Sequence, residues 1–339
     1  MKKRIAAFAA LLLALPLLAA PAPAPAPKVS LILGGDLMLD DGPGRVIAAG
    51  GDPLAGLSDF LGSADYRIAN LECPVATTGE ALASKIFTFR AQPAVLDIVK
   101  KRFDAVSLAN NHAGDYGKQA FVETISHLDA KGIAHFGGGR NLQEAHAPLW
   151  ITRNGLRIAV LAYNEFKPRS FEAGPDWPGV AWSEDSHVVA DIRAARRAGA
   201  DLVIPFMHWG WEREPEPSAR QRTLARIMID AGADLVVGTH PHITQGAEYY
   251  KGKLIVYSLG NLVFDSFKSD ELRTGWLLRL ELDRKGLQSW TTRAVFMDED
   301  GVPSLKTTGT TPCGAAPHGR IAHCAPNQRP TTPEKRNQR

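Results

Sequence analysis

Leu235-Val236-Val237-Gly238-Thr239-His240-Pro241-His242 is the stretch from which the rest of the chain is read. A short apolar run suited to a buried strand breaks at a glycine, and two histidines spaced two residues apart follow. In an extended segment alternate side chains share one side, so this spacing predicts two imidazoles facing one point. Moving outward, the same arrangement recurs. Val29–Leu33 leads into Gly34-Gly35-Asp36, and Tyr66–Leu71 leads into Glu72. Ala105–Leu108 leads into Ala109-Asn110-Asn111-His112, and Leu202–Met207 leads into His208-Trp209-Gly210. Five apolar strands thus finish in a carboxylate, a carboxamide or an imidazole.

Between them lie segments with helical spacing: Ala94–Arg102, Phe121–Lys131 stopped by Gly132, Asp185–Ala198 ending at Gly199, and Gln221–Ala231 stopped by Gly232. Leu156–Ala162 and Leu254–Tyr257 read as further strands. This alternation predicts an α/β domain with a parallel or mixed sheet covered by helices. Trp276–Leu282 and Trp290–Phe296 alternate apolar and polar residues around Arg284-Lys285-Gly286, which predicts an antiparallel hairpin. No internal repeat has a solenoid period.

In such sheets ligands gather beyond the carboxyl ends of strands, so the five decorated ends should converge. Taken singly, each polar residue is ordinary as a helix cap, a turn former or a packed histidine. Five together are not. Imidazoles mixed with carboxylates and a carboxamide suit divalent zinc, manganese or iron. Two such ions roughly 3.5–4 Å apart can activate water for attack on phosphorus or a carbonyl carbon.

The ends of the chain differ from its middle. Lys2, Lys3 and Arg4 precede an uncharged apolar stretch from Ile5 to Ala20 and an Ala-Pro run to Pro27. Residues 1–27 therefore read as a secretory signal and linker, which predicts an exported protein, periplasmic or bound to the cell envelope. If the segment stays uncleaved it is a membrane anchor. Residues 305–339 are rich in Thr, Pro, Gly and basic residues and read as a disordered tail. Between these ends, residues 29–304 form the expected domain. The chain carries 39 basic and 36 acidic residues. Six basic residues and only one acid lie after Pro303, and four basic residues precede Val29, so the intervening part is net acidic, near −6. A mildly acidic domain argues against a nucleic-acid partner. Of three cysteines, Cys313 and Cys324 are close enough in the tail to pair in an oxidising compartment. Cys73 reads as a small buried hydrophobe.

Asp36, Glu72, Asn111-His112, His208 and Gly238-Thr239-His240-Pro241-His242 fall in the order of the motifs of the calcineurin-like metallophosphatases. Ser107 through Gly117, Asn70-Leu71-Glu72, Tyr257 through Asn261, and the stretch around Lys85, Phe87, Phe89, Arg90 and Pro93 resemble more closely its CapA branch, named for poly-γ-glutamate capsule synthesis. The resemblance spans about Val29 to Asp298. It implies a four-layer α-β-β-α sandwich with mixed sheets and a metal site at the strand ends. It also implies that Asn111, His208 and His240 hold one ion, Asp36 and His242 a second, and that Glu72 bridges them. His112 would protonate a leaving group or stabilise negative charge, with Asp115 orienting it. Two departures stand out. Met38 occupies the position of a phosphatase histidine ligand, and Glu72 is one methylene longer than the usual bridging Asp. The Asp36 ion should therefore be held more weakly, leaving one or two ions as alternatives.

Lys85 and Arg90 are candidates to meet an anionic substrate, and Arg140 is equally a surface charge. Trp209 and Trp211 either wall the cleft or pack in the core. Gly137-Gly138-Gly139 reads as a turn. Two functions compete: an exported metal-dependent hydrolase of a phosphoester or an anionic polymer such as poly-γ-glutamate, or a non-catalytic polymer-binding component working with other capsule-synthesis proteins. His112 favours the enzyme, because a hydrolase needs an ionisable group beside the metal. A thiol enzyme using Cys73 has no basic partner in its motif.

Overall fold

The computed structural model describes residues 28–265 and 267–305. The N-terminal segment and most of the basic tail, with Cys313 and Cys324, lie outside the described residues. The first half runs β1 (Val29–Leu37), α1 (Asp41–Ala48), α2 (Ser58–Gly62), β2 (Tyr66–Leu71), α3 (Val95–Arg102), β3 (Ala105–Ser107), α4 (Gly117–Lys131) and β4 (Ala134–Phe136). A short ribbon strand β5 (Gly138–Gly139) and α5 (Leu142–Ala145) lead to β6 (Leu149–Arg153), β7 (Leu156–Asn164) and β8 (Gly179–Val180), which pairs with β5. Then follow α6 (Asp185–Arg197), β9 (Leu202–His208), α7 (Ala219–Ala231), β10 (Leu235–Thr239), β11 (Thr244–Tyr250), β12 (Lys253–Leu259) and β13 (Asn261–Val263). The chain closes with β14 (Thr274–Asp283), β15 (Gly286–Met297) and β16 (Pro303–Leu305).

Two mixed sheets result. In the first, β1, β2, β3 and β4 are parallel neighbours, β13 pairs parallel with β1, and the β14–β15–β16 meander adds antiparallel strands. In the second, β7, β9, β10 and β12 are parallel, and β6 and β11 close the edges antiparallel. Pleat periodicity sorts each strand between two cores. Leu31, Leu33, Ile68, Val160, Ile204 and Val237 fill the space between the sheets. Ile32 and Val106 face the opposite way, onto Leu96, Phe121 and Ile125 of α3 and α4. Leu161, Val203 and Val236 pack on Ile192, Leu224 and Met228 of α6 and α7. Each fully buried side chain of this size contributes about 1.5–3 kcal/mol. The layers are helix, sheet, sheet, helix, as expected.

Several elements extend beyond their expected bounds. β1 runs on through Gly34-Gly35 to Leu37, with a register shift against β2 between Leu33 and Asp36. Asp36 is thus within the strand rather than after it. Gly35 is required here: a Cβ would sit 1.8 Å from the Gly260 carbonyl oxygen, where the chain crosses from β12 in one sheet to β13 in the other. α1, with two glycines and a proline in Asp41–Ala48, and the edge strands β6 and β11 carry no clear sequence pattern. Leu305, placed in the tail by composition, pairs with Val295 in β16. Among the described residues no helix is long and apolar enough to cross a membrane.

Candidate metal centre

Three groups come from the first sheet and three from the second. Asp36 on β1, Glu72 after β2 and Asn111 after β3 meet His208 at the end of β9 and His240 and His242 after β10. All six are buried. Ligand atoms of Glu72, His208 and His240 lie within 4.8 Å of one another, and so do those of Asp36, Glu72 and His242. Glu72 belongs to both groups, the geometry a bridging carboxylate requires. Its Oε1 is 3.6 Å from His208 Nε2 and 3.9 Å from His242 Nε2. Asn111 Oδ1 lies 2.7 Å from His208 Nε2.

His240 and His242 reach the site by a route the spacing did not show. β10 ends at Thr239, and both histidines have positive φ, 96° and 59°, so they are not alternate residues of an extended strand. Backbone in that region is costly for non-glycine residues and persists only where the surroundings enforce it. One such constraint is visible: His240 N donates to Asp36 Oδ2 at 3.1 Å.

The groups behind these six lie within the sequence motifs, although the sequence alone gives them no role. Asn70 Nδ2 is 2.9 Å from Asp36 Oδ1 and 3.2 Å from His208 Nδ1, and Asn70 Oδ1 accepts from Asn110 Nδ2. Asn261 Oδ1 holds His242 Nδ1 at 2.9 Å, and Thr239 Oγ1 lies 3.1 Å from His208 Nδ1. Their nearness in sequence to a ligand, or to the strand paired with one, is the signal that could have found them.

A cation fits this set. Both Glu72 carboxylate oxygens and both His240 ring nitrogens are buried without a hydrogen-bond partner among the described residues. Each such orphan costs about 1–3 kcal/mol, more when charged. Burial, with Asp36 adding its charge, holds the Glu72 carboxyl well above the usual carboxylate range. Burial, reinforced by the neighbouring imidazoles, pushes His208 and His240 well below the ordinary imidazole value. Neutral imidazoles and carboxylates crowded together are the donor set of zinc, manganese or iron.

Beside them sits His112. Its Nδ1 is 2.7 Å from Asp115 Oδ2, which also accepts from Phe89 N, while Lys85 Nζ binds Asp115 Oδ1 and the Asn111 carbonyl. Burial lowers the His112 pKa, opposed by Asp115. Lys85, expected to meet substrate, is thus part of this network. Arg90 is not brought to the cluster: its guanidinium lies over the Tyr116 ring and donates to the Thr78 and Gly79 carbonyls. Arg140 pairs with Asp129 and Glu144 at the surface. Trp209 is core, donating to the Tyr257 carbonyl, whereas the exposed Trp211 rests on Phe166, whose ring lies 3.9 Å from that of His240. Of Gly137-Gly138-Gly139, expected as a turn, only Gly137, at φ 75°, is one, and Gly138–Gly139 form β5. Cys73 is buried and its thiol pushed up to about 12, so it is no nucleophile.

The family described as bacterial capsule synthesis protein PGA_cap matches residues 30–266. The chain belongs to this family. The PGA_cap match spans every group just described and stops before the closing meander. Relatives include the capsule biosynthesis protein CapA of Bacillus anthracis, 32% identical over 247 residues, covering 70% of this chain and 60% of that one. The PGA biosynthesis protein CapA of Bacillus subtilis (strain 168) is 35% identical over 206 residues, covering 60% and 54%. The PGA_cap chain thus matches somewhat more than half the length of these relatives. Among solved structures, a 5'-nucleotidase precursor from Thermus thermophilus is similar at a TM-score of 0.49 and 13% identity, covering 82% of this chain and 56% of that one.

Proposed function

We propose that the chain is an exported hydrolase, dependent on one or two divalent ions, that cleaves an anionic polymer or a phosphoester in poly-γ-glutamate capsule synthesis. The observation that carries this reading is the set of buried, unpartnered Glu72 and His240 atoms lying beside an imidazole anchored by a carboxylate. Asn111, His208 and His240 would hold one ion and Asp36 and His242 another, with Glu72 shared. When bound, such ions supply Lewis acidity and bring the ionisation of water toward neutral pH.

The chain's own residues do the rest. A carboxylate only accepts, so Asp115 keeps the His112 proton on Nδ1 and leaves Nε2 to exchange one with substrate. Lys85 balances the Asp115 charge. An arriving anionic group favours the charged ring, the form that can protonate a leaving group. Phe166 and Trp211 form an apolar wall at His240 that limits water on that side.

A second reading, polymer binding without turnover, is favoured by one observation. Met38 is fully buried in the helix-side core, its sulfur accepting from Asp40 N at 3.2 Å, and offers no imidazole beside Asp36. Elemental mass spectrometry on the full chain and a His208→Ala/His240→Ala variant, followed by assays on poly-γ-glutamate and phosphoesters, separates the readings. Metal that the variant loses, together with turnover, supports the hydrolase. Metal without turnover on any such substrate favours the binding protein, and no metal in either chain overturns the hydrolase and leaves the binding protein. Export is checked by fractionating cells that make the full chain; retention in the cytoplasm would count against it.

A further inference from the structure

A second imidazole cluster shares no residue with the first. A cleft of about 600 Å³ opens where α5 ends against α6, and its lining includes Gln143, His146, His187 and Asp191. His146 is the C-cap of α5, and His187 and Asp191 stand one turn apart on α6.

Asp191 Oδ2 accepts from Tyr163 Oη at 3.0 Å and lies 2.7 Å from His146 Nδ1. The carboxylate accepts only, so the proton sits on Nδ1 and Nε2 keeps a lone pair. That Nε2 is buried and has no hydrogen-bond partner among the described residues. The His187 ring lies beside the His146 ring, centroids 5.4 Å apart and planes at 87°. Two imidazoles whose nitrogens each lie about 2.0–2.1 Å from one tetrahedral ion have ring centres about 5 Å apart, so rings this close can share an ion once a nitrogen of each turns to one point. A carboxylate behind one imidazole is the usual support of a metal-bound histidine, fixing its tautomer and raising its basicity. His187 is exposed, and exposed side chains change rotamer in picoseconds to nanoseconds, so one of its nitrogens can turn to the point that His146 Nε2 faces without moving the backbone.

We propose that His146 and His187 form a second divalent-cation site, suited to a nitrogen-preferring ion such as zinc, with Asp191 positioning His146. An ion there would clip α5 to α6 and is independent of the first site's ligands. The test is equilibrium dialysis of the full chain against zinc alone, beside His187→Ala, His146→Gln and Asp191→Asn. His187→Ala and His146→Gln should each bind one equivalent less than the unaltered chain. Asp191→Asn should keep that equivalent with affinity about 10–100-fold weaker, which a merely structural role would not produce. Unchanged stoichiometry in His187→Ala, whose side chain is exposed and whose folding is not at risk, overturns the site. The count also separates the two sites. A fall from one equivalent to none in His187→Ala supports this site while the first holds nothing. Loss confined to His208→Ala/His240→Ala overturns this one and leaves the first standing.

Discussion

Asp115 Oδ2 holds His112 by Nδ1 at 2.7 Å, three residues away on a loop that has already left β3. That bond occupies Nδ1 and leaves Nε2 as the nitrogen that the proposed hydrolase would use. His112→Ala should lower turnover about 10²–10⁴-fold while metal content stays unchanged. Asp115→Asn should displace the pH profile of kcat and likewise spare the metal. Loss of metal in His112→Ala would mean that the residue is a ligand.

Glu72 carries the cost of an ion-free site. Its raised pKa means that the metal-free folded chain binds a proton there more tightly than the unfolded chain does. The resulting penalty is absent below the ordinary value of 4.5 and grows as pH rises above it. In excess chelator, Glu72→Gln should therefore melt a few degrees above the unaltered chain at pH 7, with the gap closing toward pH 4.5. With metal present the order should reverse, because the variant loses a ligand. Thermal melts with and without chelator read both.

Asn70 touches Asp36 and His208 with one amide nitrogen and Asn110 with its oxygen. Asn70→Ala removes no ligand. It should nonetheless weaken metal affinity about 10–100-fold, as loss of outer partners does at such sites. Competition with a chromophoric chelator would measure it, and unchanged affinity would show that Asp36 and His208 are held by other contacts.

Acid should loosen the loop that carries Lys85. Glu123 accepts from the backbone and hydroxyls of Thr77 and Thr78. Burial acts to raise its pKa, but those hydrogen bonds, with His127, outweigh it and pull the carboxyl down to about 2. A lowered carboxylate pKa stabilises the fold above the ordinary 4.5, and that stability is lost as pH falls from there toward 2. Amide exchange over residues 77–90, corrected for its intrinsic dependence on pH, should therefore quicken in the unaltered chain across that window. In Glu123→Gln it should already be fast at pH 6 and change little.

How far these features could be read in advance depended on whether they were local. An apolar run that ends in Glu72 or His208 is written in adjacent letters, and five such ends predicted both the strands and their convergence. The direction taken by a long side chain is not. Lys85 and Arg90 lie in the same stretch, yet one ammonium reaches Asp115 while the other head group turns to Thr78 and Gly79. The positive φ of His240 and His242 was also hidden, and the one constraint seen on it, the bond from His240 N to Asp36, comes from 204 residues away in sequence. β11, Thr-Gln-Gly-Ala-Glu-Tyr-Tyr, is an edge strand whose pairing with β12 supplies the order that its own pattern lacks.

Because Asp36, Glu72 and Asn111 are carried by one sheet and His208, His240 and His242 by the other, the centre straddles the seam of the sandwich. Its dimensions are set by how the two slabs are aligned. A sideways slip of about an ångström between them, from a substitution deep in the packing such as at Leu33 or Ile204, would pull the two halves of the pocket out of line while every strand stayed intact. The centre thus acts as a vernier, and bound metal would report on the alignment of the two layers.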